Sequence, residues 1–137
     1  MTGETDLDRL LASMNPELRP GVYVFATLEP GTAPPEGVES VMVFREADGT
    51  TLILPLEAVE GAGIAGVFPC RMITLRIHSS LEAVGFMARI TTRLAGAGIG
   101  VNPVSAFFHD HLFVPENRGE EAVTLLRELS RESGARF

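Results

Sequence analysis

The stretch Cys70–Pro115, CRMITLRIHSSLEAVGFMARITTRLAGAGIGVNPVSAFFHDHLFVP, decides the fold of this chain. Its opening residues alternate Met72, Thr74 and Arg76 against Ile73, Leu75 and Ile77, the period-two pattern of a half-buried strand over 70–78. Ser79 and Glu82 then have the spacing of a capping box, in which the serine accepts from the glutamate N–H and the glutamate reaches back. Ala83, Phe86, Met87, Ile90, Leu94 and Ala97 form one apolar stripe, which predicts a helix over 80–97. Gly98 supplies a left-handed exit. Strands follow at 99–108 and 111–115, and a helix begins near Asn117 or Glu120, with Ala122, Leu125, Leu126 and Leu129 on its apolar side. The order is β-α-β-β-α. Pro103 lies inside one of these strands and removes a ladder donor, so that strand belongs at an edge or a bulge.

The first half carries a looser version of the same pattern. Thr5 to Met14 reads as a short helix, capped by Thr5, with Leu7, Leu10 and Leu11 on one face and Pro16 and Pro20 ending it. VYVFATL (22–28) is a strand by its β-branched and aromatic content. EPGTAPPEG (29–37) is a turn-forming loop. SVMVFRE (40–46) and TTLILP (50–55) flank Ala47-Asp48-Gly49, a hairpin signal. Pro55 opens a short helix to about Glu60, stopped by Gly61 and Gly63, with a short strand near Val67 beyond it. LILP (52–55) and LFVP (112–115) each end a strand at proline, and each precedes a helix carrying Glu-Ala-Val, at 57–59 and 121–123. The matching element order predicts a duplication, with units over 1–69 and 70–137 and the loop 29–37 in place of the first unit's long helix.

Composition limits what such a chain can do. Its 137 residues suit one domain or two small ones, with 45% apolar and 21% charged residues, as in ordinary globular proteins. The formal net charge of −7 argues against nucleic acid and anionic membrane as partners. No secretory signal opens the sequence, and no apolar run reaches the roughly twenty residues that span a bilayer. A lone cysteine, Cys70, cannot form an internal disulfide and fits a reducing cytoplasm. In its apolar setting it reads as a packing thiol.

His109-Asp110-His111 is the most conspicuous polar cluster. Two histidines two residues apart share a side of a strand, but a metal site needs three or four ligands, and His78 is the only further imidazole. Asp110 would point the other way in a regular strand. The cluster therefore reads as a turn leading into the last strand, not as a metal or catalytic centre. No glycine-rich phosphate loop and no nucleophile array is present, so the chain is not expected to be an enzyme or to carry a cofactor.

The run HSSLEAVGFMARITTRLAGAGIGVNPVSAFFHDHLFVP, together with DLDRLLASMNPELRPGVYVFATL near the start, resembles a family of small bacterial proteins built from two ACT-like units. The resemblance covers nearly the whole chain. It implies an α+β, ferredoxin-like fold: antiparallel sheets with helices on one face, in two tandem units. It also implies a regulatory module that senses a small metabolite, most often an amino acid. The ligand of such units commonly sits by the loop after the first strand and the start of the first helix, here His78, Ser79, Ser80, Leu81, Val84 and Gly85. Phe107-Phe108 stand where tyrosines are usual, and so offer no phenol hydroxyl there.

The chemistry of the residues agrees with that location. A helix beginning at 80 would present unpaired N–H groups and a partial positive charge to a carboxylate. Ser79, Ser80 and His78 add hydrogen-bonding groups, Gly85 permits close approach, and Asn102 on the neighbouring strand is positioned to read an amino group. Two functions are expected to compete: a non-catalytic amino-acid-binding module, and a structural dimerisation domain without a small ligand. Open sheet edges and a mean hydropathy of +0.20 predict a homodimer in either case.

Overall fold

The described residues divide into two compact units, 21–70 and 3–20 with 71–134. The computed structural model describes residues 3–134, so the start of the expected unit 1–69 and the end of the expected unit 70–137 lie outside the described residues. In chain order the elements are α1 (Leu7–Ala12), β1 (Pro16–Leu18), β2 (Tyr23–Leu28), β3 (Met42–Glu46), β4 (Gly49–Pro55), α2 (Leu56–Ala62), β5 (Val67–Leu75), α3 (Phe86–Gly96), β6 (Asn102–Ser105), β7 (Asp110–Pro115) and α4 (Gly119–Gly134). One 3₁₀ turn, Glu116–Arg118, leads into α4.

Within Gly21–Cys70 the strand order is β3-β4-β2-β5. β3 and β4 form a hairpin with Glu46 opposite Gly49, so its two-residue loop is Ala47-Asp48. β4 pairs antiparallel with β2 from Tyr23↔Pro55 to Leu28↔Thr50. Val24, Ala26, Leu52, Leu54 and Val59 form the core of this unit. α2 begins directly after Pro55, as a proline at a helix start allows, and ends at Gly63. Cys70 is fully buried and donates its S–H to the Tyr23 carbonyl at 3.2 Å; burial pushes its thiol pKa to about 12.

The other unit repeats the order, with β1 and β7 on either side of β5 and β6 beyond β7. The fourth strand of this sheet is the short β1, which pairs antiparallel with β5 from Pro16↔Leu75 to Leu18↔Ile73. The sequence reading attaches residues 1–20 to the first half of the chain. In the structure residues 3–20 pack with 71–134, because Leu10, Leu11 and Met14 are buried in the same core as Ile73, Leu75, Phe86, Ile90, Leu94, Leu112, Val114, Leu126 and Leu129. The apolar stripes of α3 and α4 thus face the core where their periodicity puts them. β6 ends the strand order, and Pro103 sits on it opposite Leu112. The Ala106 N–H bonds the His109 carbonyl, so the alternation of an antiparallel ladder makes Pro103 a position whose N–H would point away from β7. The missing donor costs the sheet nothing there.

β5 and β7 are also tied by side chains: Thr74 Oγ1 lies 3.0 Å from His111 Nδ1. Burial holds the His111 pKa below its ordinary value, assisted by His109, Arg19 and Arg76 and opposed by Asp110. A depressed pKa means that the folded chain binds this proton less tightly than the unfolded chain. The contribution to stability is therefore full above the ordinary value of 6.5 and lost as pH falls through the folded value. We predict that the urea midpoint drops between about pH 7.5 and about pH 5, and that His111→Gln makes the drop shallower. Superimposable profiles for the two proteins would contradict this assignment.

Candidate functional site

The loop between β5 and α3 is built differently from the expected helix start. Ser80 accepts from the Ala83 N–H through its carbonyl at 3.0 Å and from the Glu82 N–H through its hydroxyl at 3.1 Å. These bonds make a turn over 80–83. Gly85 follows in the left-handed conformation, at φ 90°, and stands at the N-cap with no side-chain cap. The helix therefore starts at Phe86, and the Ser79–Glu82 capping box does not form. A serine-rich segment can satisfy its own backbone locally, and here that alternative outcompetes helix.

The segment Gly3-Glu4 fixes the other side of this loop. The Glu4 N–H donates to the His78 carbonyl and the Ser80 N–H donates to the Glu4 carbonyl, both at 2.9 Å, in a parallel bridge. Gly3 lies so close that a Cβ would stand 2.6 Å from the Ser80 nitrogen, at a φ of 91° that itself favours glycine. One loop amide that could have faced a ligand, that of Ser80, is thus already taken.

Ser79 turns its hydroxyl toward Asp110 at the start of β7. The Ser79 Oγ donates to Asp110 Oδ2 at 2.8 Å, and the two residues are 8% and 6% exposed. Ser79, Ser80, Asp110, Ser105, Leu81, Ala83, Phe86 and Met87 line a cavity of about 80 Å³. One water requires about 10–15 Å³ of such space, so the cavity has room for a small polar molecule. Its walls offer a carboxylate and three hydroxyls, and the uncapped first turn of α3 supplies amide donors.

Of the residues expected at a site, Ser79, Ser80 and Leu81 line this cavity, whereas His78, Val84, Gly85 and Asn102 do not. His78 packs its ring against Phe108 and Phe107, with centroids 5.6 and 6.3 Å apart, and its buried Nε2 has no partner. Val84 is 84% exposed. Gly85 shapes the start of α3 from behind, next to Leu7. Asn102 is exposed at the far end of β6 from Ser105. Asp110, Ser105, Phe86 and Met87 are cavity residues that the sequence reading does not assign to a site. For Asp110 a signal exists: it has the strand parity of Leu112 and Val114, and all three are buried. The turn itself lies one step earlier than His109-Asp110, at Ala106–His109, with Phe107 and Phe108 at its tip. Among the described residues no group of three or more His, Cys, Asp or Glu is placed to hold a metal.

Comparison with known proteins agrees with this architecture. ACT domain models match residues 2–71 and 67–128. A search of curated proteins finds no match. Among solved structures, a protein of unknown function from Vibrio cholerae, described as a possible transport protein, is 39% identical, covering 90% of this chain and 95% of that one at a TM-score of 0.82. A protein from Agrobacterium tumefaciens is 23% identical over 84% of this chain and 87% of its own, at a TM-score of 0.71. The ligand-free regulatory subunit of aspartate kinase from Thermus thermophilus is 10% identical over 85% and 97%, at 0.63. These last two share the fold alone. With one ACT model over residues 2–71 and a second, overlapping it at 67–71, over 67–128, the chain belongs to the ACT domain family and is an α+β, ferredoxin-like protein of two tandem units.

Proposed function

We propose that this chain is a non-catalytic regulatory module that binds a small amino acid in the cavity between Ser79 and Asp110. The observation that carries the reading is that cavity: a buried carboxylate, three hydroxyls and a helix start with no side-chain cap around about 80 Å³. An amino acid brings one cationic and one anionic group, and walls of this kind offer a partner to each. Family membership supports a regulatory role, and two aspartate kinase regulatory subunits are among the proteins that share the fold. Within this reading the repeated units correspond to 1–69 and 70–137, and the protein works in the cytoplasm.

The module is proposed to act as a homodimer. Leu81, Val84, Phe107 and Phe108 are 67%, 84%, 59% and 62% exposed. Leu81 and Ser105 line the cavity, and the other apolar side chains follow them closely in sequence, on 81–84 and 105–108. Four such side chains expose on the order of 500 Å², against about 800 Å² that each partner buries in a stable interface. A second copy of the same patch, extended by polar rim, reaches that size. Pro103 removes an outward N–H from the adjoining strand, which disfavours association by strand pairing along β6 and leaves the side-chain patch as the contact.

Thermal-shift and calorimetric titration with the twenty amino acids tests the first claim. One or a few small amino acids are expected to raise Tm, with about 2.7 kcal/mol of added stability at a hundredfold excess over Kd. Silence from all twenty at millimolar concentration contradicts ligand binding and leaves the dimerisation domain as the reading. Light scattering tests the second claim: a mass of twice 14.7 kDa is expected, falling toward the monomer in Phe107→Ser/Phe108→Ser. A monomer at high micromolar concentration contradicts it.

A further inference from the structure

Asp110 is a buried carboxylate for which the described residues supply no cation. It is 6% exposed, and burial of an ionised carboxylate is costly unless a cation and further hydrogen bonds complete it. Among the described residues its one side-chain hydrogen bond is from the neutral Ser79 hydroxyl, which fills one of roughly four acceptor positions. The ion pairs among the described residues are Arg19–Glu17, Arg76–Glu17, Arg93–Glu132 and Arg118–Glu121, none of which includes Asp110. The chain contains no lysine, so no side-chain ammonium can reach it. His109 and His111 have the opposite strand parity, and His111 Nδ1 is already engaged with Thr74. No arginine or histidine lines the cavity that Asp110 faces.

We propose that Asp110, oriented by Ser79, is the receptor for a primary ammonium group, which makes the cavity selective for amines and amino acids over the corresponding hydroxy acids. The inference rests on the amino-acid reading above and adds to it the residue that decides ligand class. The cation that no described residue supplies is the one the ligand brings. The Ser80 and Ser105 hydroxyls stand in the same wall and can take the remaining ammonium hydrogens. A hydroxy acid of the same shape can donate one hydrogen bond to Asp110 but brings no positive charge to offset it. Asn102, expected from the sequence to read the amino group, is exposed and absent from the lining.

Calorimetry on the full chain tests this with glycine, L-alanine and L-serine against glycolate and L-lactate, with ethylamine, sodium chloride and potassium chloride as separate probes. The native protein is expected to bind at least one of the amino acids tenfold or more tightly than its hydroxy acid, and ethylamine to compete with it. Asp110→Asn keeps an acceptor for Ser79 and is expected to lose at least tenfold in amino-acid affinity while its Tm without ligand stays near native. Equal binding of hydroxy and amino acids, undiminished binding by Asp110→Asn, or protection by sodium or potassium in place of the amine overturns the proposal and leaves the amino-acid module intact. Silence from every probe overturns both. The analogue comparison on the native chain decides the question even if the variant does not fold.

Discussion

The hydrogen bond from Ser79 to Asp110 is the constraint on which the site depends. It joins residues 31 positions apart, and both are almost fully buried. Without it, only the Glu4 bridge and the turn bonds of Ser80 hold the loop after β5, and the Asp110 carboxylate loses its hydrogen bond from Ser79. With it, Ser79 is tied to β7, and the turn over 80–83 and the left-handed Gly85 delay α3 until Phe86. The cavity is the space that this delay opens. A bond between neutral hydroxyl and carboxylate is worth only about 1.5–3 kcal/mol, yet losing one partner leaves a buried charge uncompensated. That asymmetry makes a modest contact decisive for local geometry.

The frame behind the loop is rigid for ordinary reasons. Ile73 and Leu75 anchor the end of β5, Leu112 and Val114 anchor β7, and Phe86, Ile90 and Leu94 hold α3 on both. Each unit uses the same strand order, and each takes its fourth strand from a segment outside its β-α-β-β-α or β-loop-β-β-α run: the start of β5 in one case, β1 in the other. The N-terminal segment therefore serves the second sheet. Its leading residues Gly3-Glu4 go on to brace the loop that carries Ser79 and Ser80.

Much of this was legible in the sequence, and the losses have physical causes. Apolar stripes placed the core faces of α3 and α4, because burial dictates that pattern, whereas β5 lies at Val67–Leu75 in place of 70–78 and its buried run Ile73-Thr74-Leu75 does not alternate. Pro103 marked β6 as an edge. The capping box at Ser79 and Glu82 misled because capping is a local rule, whereas Ser79 answers to a partner on another strand. β1 escaped notice since three residues carry no periodicity and only pairing with β5 makes them a strand. The packing of residues 3–20 with 71–134 is a long-range contact that no local pattern encodes. For Asp110 the parity with Leu112 and Val114 was visible, but a carboxylate on a core face is so rarely buried that the turn reading took precedence.

Hydrogen–deuterium exchange on Ser79→Ala tests the account most directly, because it removes the hydroxyl and leaves everything else in place. The account predicts faster exchange at the amides of Ser80, Glu82 and Ala83, whose protection depends on the loop geometry, with α3 and α4 still protected as in the native chain. Unchanged protection over 79–85 would contradict it, since the loop would then hold its shape without the bond to Asp110.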